Sequence, residues 1–454
     1  MNLKALRKRF CDKRVLIMGL GIEGGGLGAA RFFNALGAKL TITDLKSKKE
    51  LSQTLKKLGR IKYTGIFGRH RQKDFLSADF IVKNPAISWD NPYIQKAKQQ
   101  GVTILTDAKI FFDICPTEKI IGITGTKGKS TTAALLFHIL KSRYRVALVG
   151  TPQTSPLDIV KKLNGLDFVI YELSSFDLED LNISPHLALI TNLLYDHLNR
   201  YKSARDYWNA KRNIFLWQKA GDKVFFNAKD KVLRRWAKKM PKSRIKWFTP
   251  TPTLALTSSC AECAMPKLVW GFNSIVLNPD TSPLSQGAAF AIAKYLGISK
   301  SEIKSKINSF KPLEGRMQEI GSHNGARYIN DTAATNPCAT LFSLKQVKQR
   351  YNTPYNKIIL ILGGVDKNLD YKILKPVLPK LKKIFLLPGS ASVKIKKLAR
   401  KTKLREIDNF EQAFNEIRRF AGKGDIVLLS PAAASFNLFK NEFHRGRAFQ
   451  QQFR

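Results

Sequence analysis

The 454-residue sequence predicts an α/β protein of three domains, each built on a parallel sheet. Three observations carry that expectation. The chain is too long to close around one core. Short apolar runs alternate with helical patterns along its whole length. Two of those runs end in glycine-rich turns that lead straight into a helix pattern. At 44% hydrophobic and 25% charged residues, the composition is that of a globular protein and excludes a disordered one.

The first segment opens with "RVLIMGLGIEGGG", continues through the helix pattern "LGAARFFNALG" and reaches the strand "KLTITD", which ends at Asp44. Gly19-x-Gly21-x-x-Gly24 permits a tight turn and lets a phosphate approach backbone N–H groups at a helix start. An acid closing the next strand can bind ribose hydroxyls. This Rossmann-like opening fits a nicotinamide cofactor, another nucleotide diphosphate, or a tight turn alone. The second segment opens with "KIIGITGTKGKS" and adds the strands "RVALVG", "DFVIYELS" and "LALITN". The third contains "KIILILGG", "KIFLLPG" and "DIVLLSPAAAS" and is also Rossmann-like. The expected domains are residues 1–108, 109–313 and 314–454.

The stretch "GITGTKGKSTTAALL" raises a spacing problem. The common phosphate loop has Gly, four residues, then Gly-Lys-Ser/Thr. Gly128-Lys129-Ser130 fits the end, but Ile123 stands where the first glycine belongs. The chemistry still suits a P-loop ATPase-type domain: Lys129 can offset the charge of β- and γ-phosphates, and Ser130 or Thr131 can reach Mg²⁺. Glu172 closes the strand of "YELSSF", where open α/β sheets bind ligands. Asp196 and His197 follow another strand in "TNLLYDHLNRY", and Lys211 sits in the helix pattern "SARDYWNAKRNIF". Taken singly, these are equally a capping acid, a satisfied histidine and a solvated lysine.

Taken together, "GITGTKGKSTTAALL", "ELSSF", "TNLLYDHLNRY" and "NAKRNIF" resemble the Mur ligase family of ATP-dependent amide-forming enzymes. That family's loop is T-G-x-x-G-K-S/T, which Thr124, Gly125, Thr126, Lys127, Gly128, Lys129 and Ser130 fit throughout. The resemblance continues through "EGRMQEI", "YINDTAATNP", "LILGGVDKNLDY" and "LLSPAAASFNLFKNEFHRG", and so covers essentially the whole chain. It is strongest to the branch that adds D-glutamate to UDP-N-acetylmuramoyl-L-alanine through an acyl phosphate, in cytoplasmic peptidoglycan precursor synthesis. L-glutamate or another amino acid is the alternative within the same chemistry.

The resemblance implies roles for individual residues. Ile22, Glu23 and Asp44 would lie at the uridine diphosphate of the substrate. Thr124 to Ser130, with Thr131, Arg316 and Asp331, would hold ATP, Arg316 reaching it by closure of the third domain. Lys129, Glu172, His197 and Lys211 would be catalytic. Mg²⁺, as two ions, would be held by Ser130, Glu172, His197 and Lys211, the last as a carbamate. Lys367, Ser435 and Phe436 would surround the incoming glutamate. Several positions depart from the pattern: Thr151 stands where G-N-I-G is usual, Gly287 replaces an asparagine, Gly315 a histidine and Glu442 an aromatic. Asn330-Asp331-Thr332-Ala333 replaces N-D-S-K.

A net charge of +44 and a pI near 10.1 would suit a nucleic-acid partner. The lysines and arginines are spread along the chain, however, and no helix-turn-helix, RNA-binding sheet signature or zinc finger accompanies them. They read as solvated helix faces, and no nucleic acid is expected. The five cysteines are sparse and odd in number, which suggests reduced thiols in a cytoplasmic protein, and Cys260-x-x-Cys263 lacks the second pair a zinc site needs. No run approaches the length of a membrane span, and a monomer is expected. A nicotinamide-dependent oxidoreductase is the reading from another class; it leaves the second loop unexplained.

Overall fold

The computed structural model describes residues 3–22, 25–151, 154–198, 200–250, 278, 281–399, 403–435 and 438–453. Glu23, Gly24, Pro152, Gln153, Cys260, Cys263 and Phe436 lie outside the described residues. Among the described residues there are three sheets, one in each predicted segment.

The first sheet is made of β1 (Arg14–Met18), β2 (Lys39–Asp44), β3 (Tyr63–Phe67), β4 (Phe80–Lys83) and β5 (Thr103–Leu105). Its order is β3-β2-β1-β4-β5 and every pairing is parallel. Helix α1 (Leu27–Ala35) follows β1 and buries Ala29, Ala30 and Phe33 in the core with the strands. Helix α2 (Asp107–Ile114) then starts under a Thr106 cap, whose side chain accepts from the Lys109 N–H at 3.2 Å.

The second sheet holds β6 (Ile120–Thr124), β7 (Val146–Val149), β8 (Phe168–Glu172), β9 (Leu187–Ile190), β10 (Lys223–Asn227) and β11 (Ile245–Phe248), in the order β11-β10-β9-β6-β8-β7. All pairs are parallel. Central β6 is buried at every position, as a strand covered on both faces must be. Phe111 and Phe112 of α2 pack on Tyr171 of β8, with ring centroids 5.5 and 6.1 Å apart. One apolar cluster therefore runs from Phe33 and Leu105 through Phe111 to Ile120 and Ile190. Each such ring contributes roughly 1.5–3 kcal/mol by burial, enough to join the two sheets into one compact unit, Met1–Leu193 with Trp208–Ile275 and Pro283–Ile307.

The other compact unit comprises Leu194–Tyr207, Val276–Ser282 and Asn308–Arg454. Its sheet has β12 (Gln318–His323), β13 (Ala326–Asn330), β14 (Ile358–Gly363), β15 (Lys383–Leu387), β16 (Leu404–Glu406) and β17 (Ile426–Leu429), in the order β12-β13-β17-β14-β15-β16. Only the β12–β13 hairpin is antiparallel. In β14, Ile358, Leu360 and Leu362 enter one core cluster while Ile359 and Ile361 enter another. The period-two alternation feeds a core on each face of the sheet. Among the described residues no helix is long and apolar enough to cross a membrane.

Candidate active site

The phosphate-type loop joins β6 to helix α3 (Lys129–Leu140). Its glycines answer the spacing problem. Gly125 has φ +142°, and a Cβ there would stand 1.9 Å from the Thr191 hydroxyl. Gly128 caps α3 in the left-handed region, φ +84°. The tight points of this loop are thus residues 125 and 128, and Ile123 remains a core strand residue, fully buried.

The loop is braced by the segment after β9, the neighbour of β6. Asn192 accepts from the Thr126 N–H through its carbonyl and from the Lys127 N–H through Oδ1, both at 2.9 Å. The Thr191 hydroxyl donates to the Lys127 carbonyl at 2.5 Å. The Lys129 ammonium donates to the Gly125 and Thr126 carbonyls at 3.1 and 3.3 Å. On the other neighbouring strand, β8, Glu172 Oε1 accepts from the Ser130 hydroxyl at 2.8 Å. Glu172 is buried, and its Oε2 has no hydrogen-bond partner among the described residues. Lys211, on helix α4 (Ala204–Leu216), is 1% exposed and donates to the Thr124 hydroxyl at 3.4 Å. The structure therefore brings together Thr124, Gly125, Lys129, Ser130, Glu172 and Lys211. Thr131, in the first turn of α3, is half-buried. Among the described residues no group of three or more His, Cys, Asp or Glu is arranged to hold a metal. That does not conflict with Mg²⁺, which keeps its waters and takes one or two carboxylates beside substrate phosphates.

In the first sheet, Asp44 closes β2 and is buried. Its Oδ2 accepts from the Gly21 N–H at 3.0 Å and its Oδ1 from the Lys46 N–H at 2.9 Å. The Thr54 hydroxyl donates to the Ile22 carbonyl at 2.8 Å, so Asp44 and Thr54 both hold the turn that follows β1.

Within the second compact unit, the sequence-named residues follow the ends of three adjacent strands. Asp331 comes directly after β13, Ser435 lies beyond β17 and Lys367 beyond β14. Asp331 Oδ2 accepts from Ser343 at 2.5 Å and Ser430 at 3.1 Å, and its Oδ1 from the Met317 N–H at 3.2 Å. Arg316, half-buried, precedes β12. Ser435 is buried, and its hydroxyl has no partner among the described residues. His197 has φ +55°, and its N–H donates to Asp196 Oδ1 at 2.9 Å. Sequence reasoning missed Asn192 as the loop brace and Asn336 and Lys367 as donors to Asp196.

Comparison with known proteins fits this arrangement. Residues 13–106 match the Mur ligase MurD-like N-terminal domain, residues 123–252 the Mur ligase middle domain and residues 315–433 the Mur ligase glutamate ligase domain. The UDP-N-acetylmuramoylalanine–D-glutamate ligase of Roseiflexus sp. (strain RS-1) is 36% identical, with 98% of each chain covered. The enzyme of the same name from Borreliella afzelii (strain PKo) is also 36% identical, covering 96% of each. The chain belongs to the Mur ligase family. Among solved structures, the UDP-N-acetylmuramate-alanine ligase MurC of Thermotoga maritima shares the fold at a TM-score of 0.58 and 18% identity, over 97% of this chain and 99% of that one. The MurF ligase of the same organism, in complex with ADP, does so at 0.58 and 14%, over 91% and 94%.

As a Mur ligase, the chain has departures with a physical basis. Gly287 lies in helix α5 (Pro283–Tyr295), and a Cβ there would stand 2.1 Å from the Thr249 carbonyl. No asparagine fits without moving the backbone. Gly315 has φ +70°, and its Cβ would meet the Thr332 methyl at 2.6 Å. The Ala333 N–H donates to the Gly315 carbonyl at 3.0 Å, and the Thr332 hydroxyl donates to the Glu442 carbonyl at 2.7 Å. Arg445, 1% exposed, donates to the Thr332 hydroxyl and carbonyl at 3.1 and 2.9 Å. Its burial pulls the guanidinium down to about 10. Four departures, at 315, 332, 333 and 442, thus form one packed patch in which the threonine methyl fills the space a glycine leaves.

Proposed function

We propose that this Mur ligase joins D-glutamate to UDP-N-acetylmuramoyl-L-alanine at the expense of ATP, within domains 1–108, 109–313 and 314–454. The observation that carries this is full-length similarity to ligases of that name, combined with an intact loop: Gly125, Lys129, Ser130, Glu172 and Lys211 in one place. The alanyl carboxylate takes the γ-phosphoryl group of ATP, releasing ADP, and the glutamate amine then attacks the acyl phosphate, forming the amide and releasing phosphate and a proton. Bringing a carboxylate to a phosphate joins two anions, so fixed positive charge is the first requirement.

Lys129 supplies it. Its resting bonds to two carbonyls are long enough to exchange for phosphate oxygens, while the N–H groups at the start of α3 face the same anion. Mg²⁺ fits Ser130 and Glu172: both are hard oxygen donors, and a buried carboxylate oxygen lacking a hydrogen-bond partner suits a cation. When bound, Mg²⁺ neutralises charge developing on the transferred phosphoryl group. His197 would complete its surroundings, with Lys211 as a carbamate. Only an unprotonated amine adds to carbon dioxide, and burial disfavours an ammonium. Asp44 and Ile22, with Glu23, would hold the uridine diphosphate; Arg316, Asp331 and Thr131 the nucleotide; Lys367, Ser435 and Phe436 the glutamate. The test is phosphate release with Mg²⁺, ATP and UDP-N-acetylmuramoyl-L-alanine, offering D- and L-glutamate in parallel. Release with D-glutamate, abolished by Lys129→Ala while uridine-nucleotide binding persists, is expected. Release with L-glutamate alone would keep the mechanism and overturn the substrate.

A further inference from the structure

Asp196 has no role in the mechanism above, yet it is 4% exposed and gathers donors from three parts of the second compact unit. Its Oδ2 accepts from the Asn336 side-chain amide at 2.9 Å. Its Oδ1 accepts from the His197 N–H at 2.9 Å and from the Lys367 ammonium at 3.4 Å. A buried carboxylate costs several kcal/mol to desolvate, so removing one partner of such a pair is felt strongly. Asn336 is itself fixed: it caps helix α6 (Pro337–Arg350), its Oδ1 accepting from the Ala339 N–H at 2.8 Å. The carboxylate is therefore anchored from the α6 side, and its other oxygen meets Lys367.

Lys367 has three N–H donors. One goes to Asp196 and a second to the Thr335 hydroxyl at 3.2 Å. The third has no partner among the described residues, and 14% of the side chain is exposed. An ammonium pinned by two acceptors has its third direction set. We propose that Asp196 is a positioning residue for the incoming amino acid: with Thr335, it orients the Lys367 ammonium so that the remaining N–H meets a substrate carboxylate. The proposal rests on Lys367 facing the amino acid. Asp196 is a poor candidate for taking a proton from the amine, because both its oxygens already accept charged or amide donors. Its contribution is to orientation, and orientation is lost when a long flexible side chain loses its anchor.

The experiment compares Asp196→Asn, Thr335→Val and Lys367→Met in the full chain. KM is measured for D-glutamate, ATP and UDP-N-acetylmuramoyl-L-alanine by phosphate release, with melting temperature as a folding control. Asp196→Asn is expected to raise the D-glutamate KM about tenfold and Thr335→Val about threefold, leaving the other two KM values within about twofold. Placed in the Lys367→Met background, neither change should raise the D-glutamate KM further, because both act through that ammonium. An unchanged D-glutamate KM in both single variants overturns the proposal, as does a full additional rise in the Lys367→Met background. If Lys367→Met itself leaves that KM unchanged, the reading of Lys367 fails and the proposal with it. Should Asp196→Asn not fold, Thr335→Val alone and in the Lys367→Met background decides.

Discussion

Asp107 should make the first compact unit lose stability as pH rises towards neutrality, and Asp107→Asn should cancel that loss. Burial pushes this carboxyl from its ordinary 3.8 up to about 7; the hydrogen bond from Ser155, at 2.8 Å, opposes the shift, and the nearby Asp177 and Asp158 reinforce it. The unfolded chain ionises Asp107 above about pH 4, whereas the folded one keeps its proton until about 7. Ionisation therefore favours the unfolded state across that window. The contribution is fully present below about pH 4, falls steadily, and is gone above about 7. At ~1.36 kcal/mol per pH unit this amounts to about 4 kcal/mol. The start of α2 favours an anion by only ~0.3–1 kcal/mol, which trims the term without reversing it. Asparagine does not ionise but weakens the Ser155 bond, at about 1 kcal/mol. Relative to the native chain, the variant should be nearly equal at pH 5 and stabilised by about 3 kcal/mol at pH 8. For a unit of this size that is a gap of about 5 °C. Thermal melts of both full-length proteins between pH 5 and 8 measure it. A gap that stays constant with pH, or a variant less stable at pH 8 than at pH 5 relative to native, would refute the argument.

Gly287→Asn, which restores the residue the family pattern leads one to expect, should cost about 1–3 kcal/mol through its contact with the Thr249 carbonyl, read as a lower melting temperature. If Lys211 carries a carbamate, protein equilibrated with isotopically labelled bicarbonate should give a carbamate carbonyl resonance. That signal should vanish in Lys211→Met, together with phosphate release.

The features legible in the sequence are those whose partners are close along the chain. The continuous apolar run in "KIILILGG" marks a doubly covered strand, and T-G-x-x-G-K-S places both loop glycines because residues 125 and 128 turn the chain within one helical start. Asp44 was legible because a strand end followed by a turn brings the Gly21 N–H to it. Asp107 was not. Nothing local in "TDAKIFF" marks it as buried, since its surroundings come from Ser155, Asp158 and Asp177 on other elements. The division into two compact units was equally hidden, because it depends on Phe111 and Phe112 meeting Tyr171 across the linker.

The third sheet makes the same point in its sharpest form. Resemblance alone can name Asp331, Lys367 and Ser435, but it gives no reason for their being neighbours. The reason is strand order: β17, last in sequence, inserts between β13 and β14. The Asp331 N–H donates to the Leu429 carbonyl at 2.8 Å, and the Ser430 hydroxyl donates to its carboxylate at 3.1 Å. On the other side of β17, the Val365 N–H donates to the Ala434 carbonyl at 2.9 Å, tying the strand end before Lys367 to the one before Ser435. A single late strand thus ties residues about a hundred positions apart into one edge. The clasp between Asp196, Asn336 and Lys367 depends on the same insertion, since Thr340 of α6 donates to the Ser430 carbonyl at 3.0 Å and so seats the helix that Asn336 caps. Substitutions that loosen β17 should accordingly weaken glutamate binding before they disturb the phosphate loop, which is braced from β8 and the segment after β9.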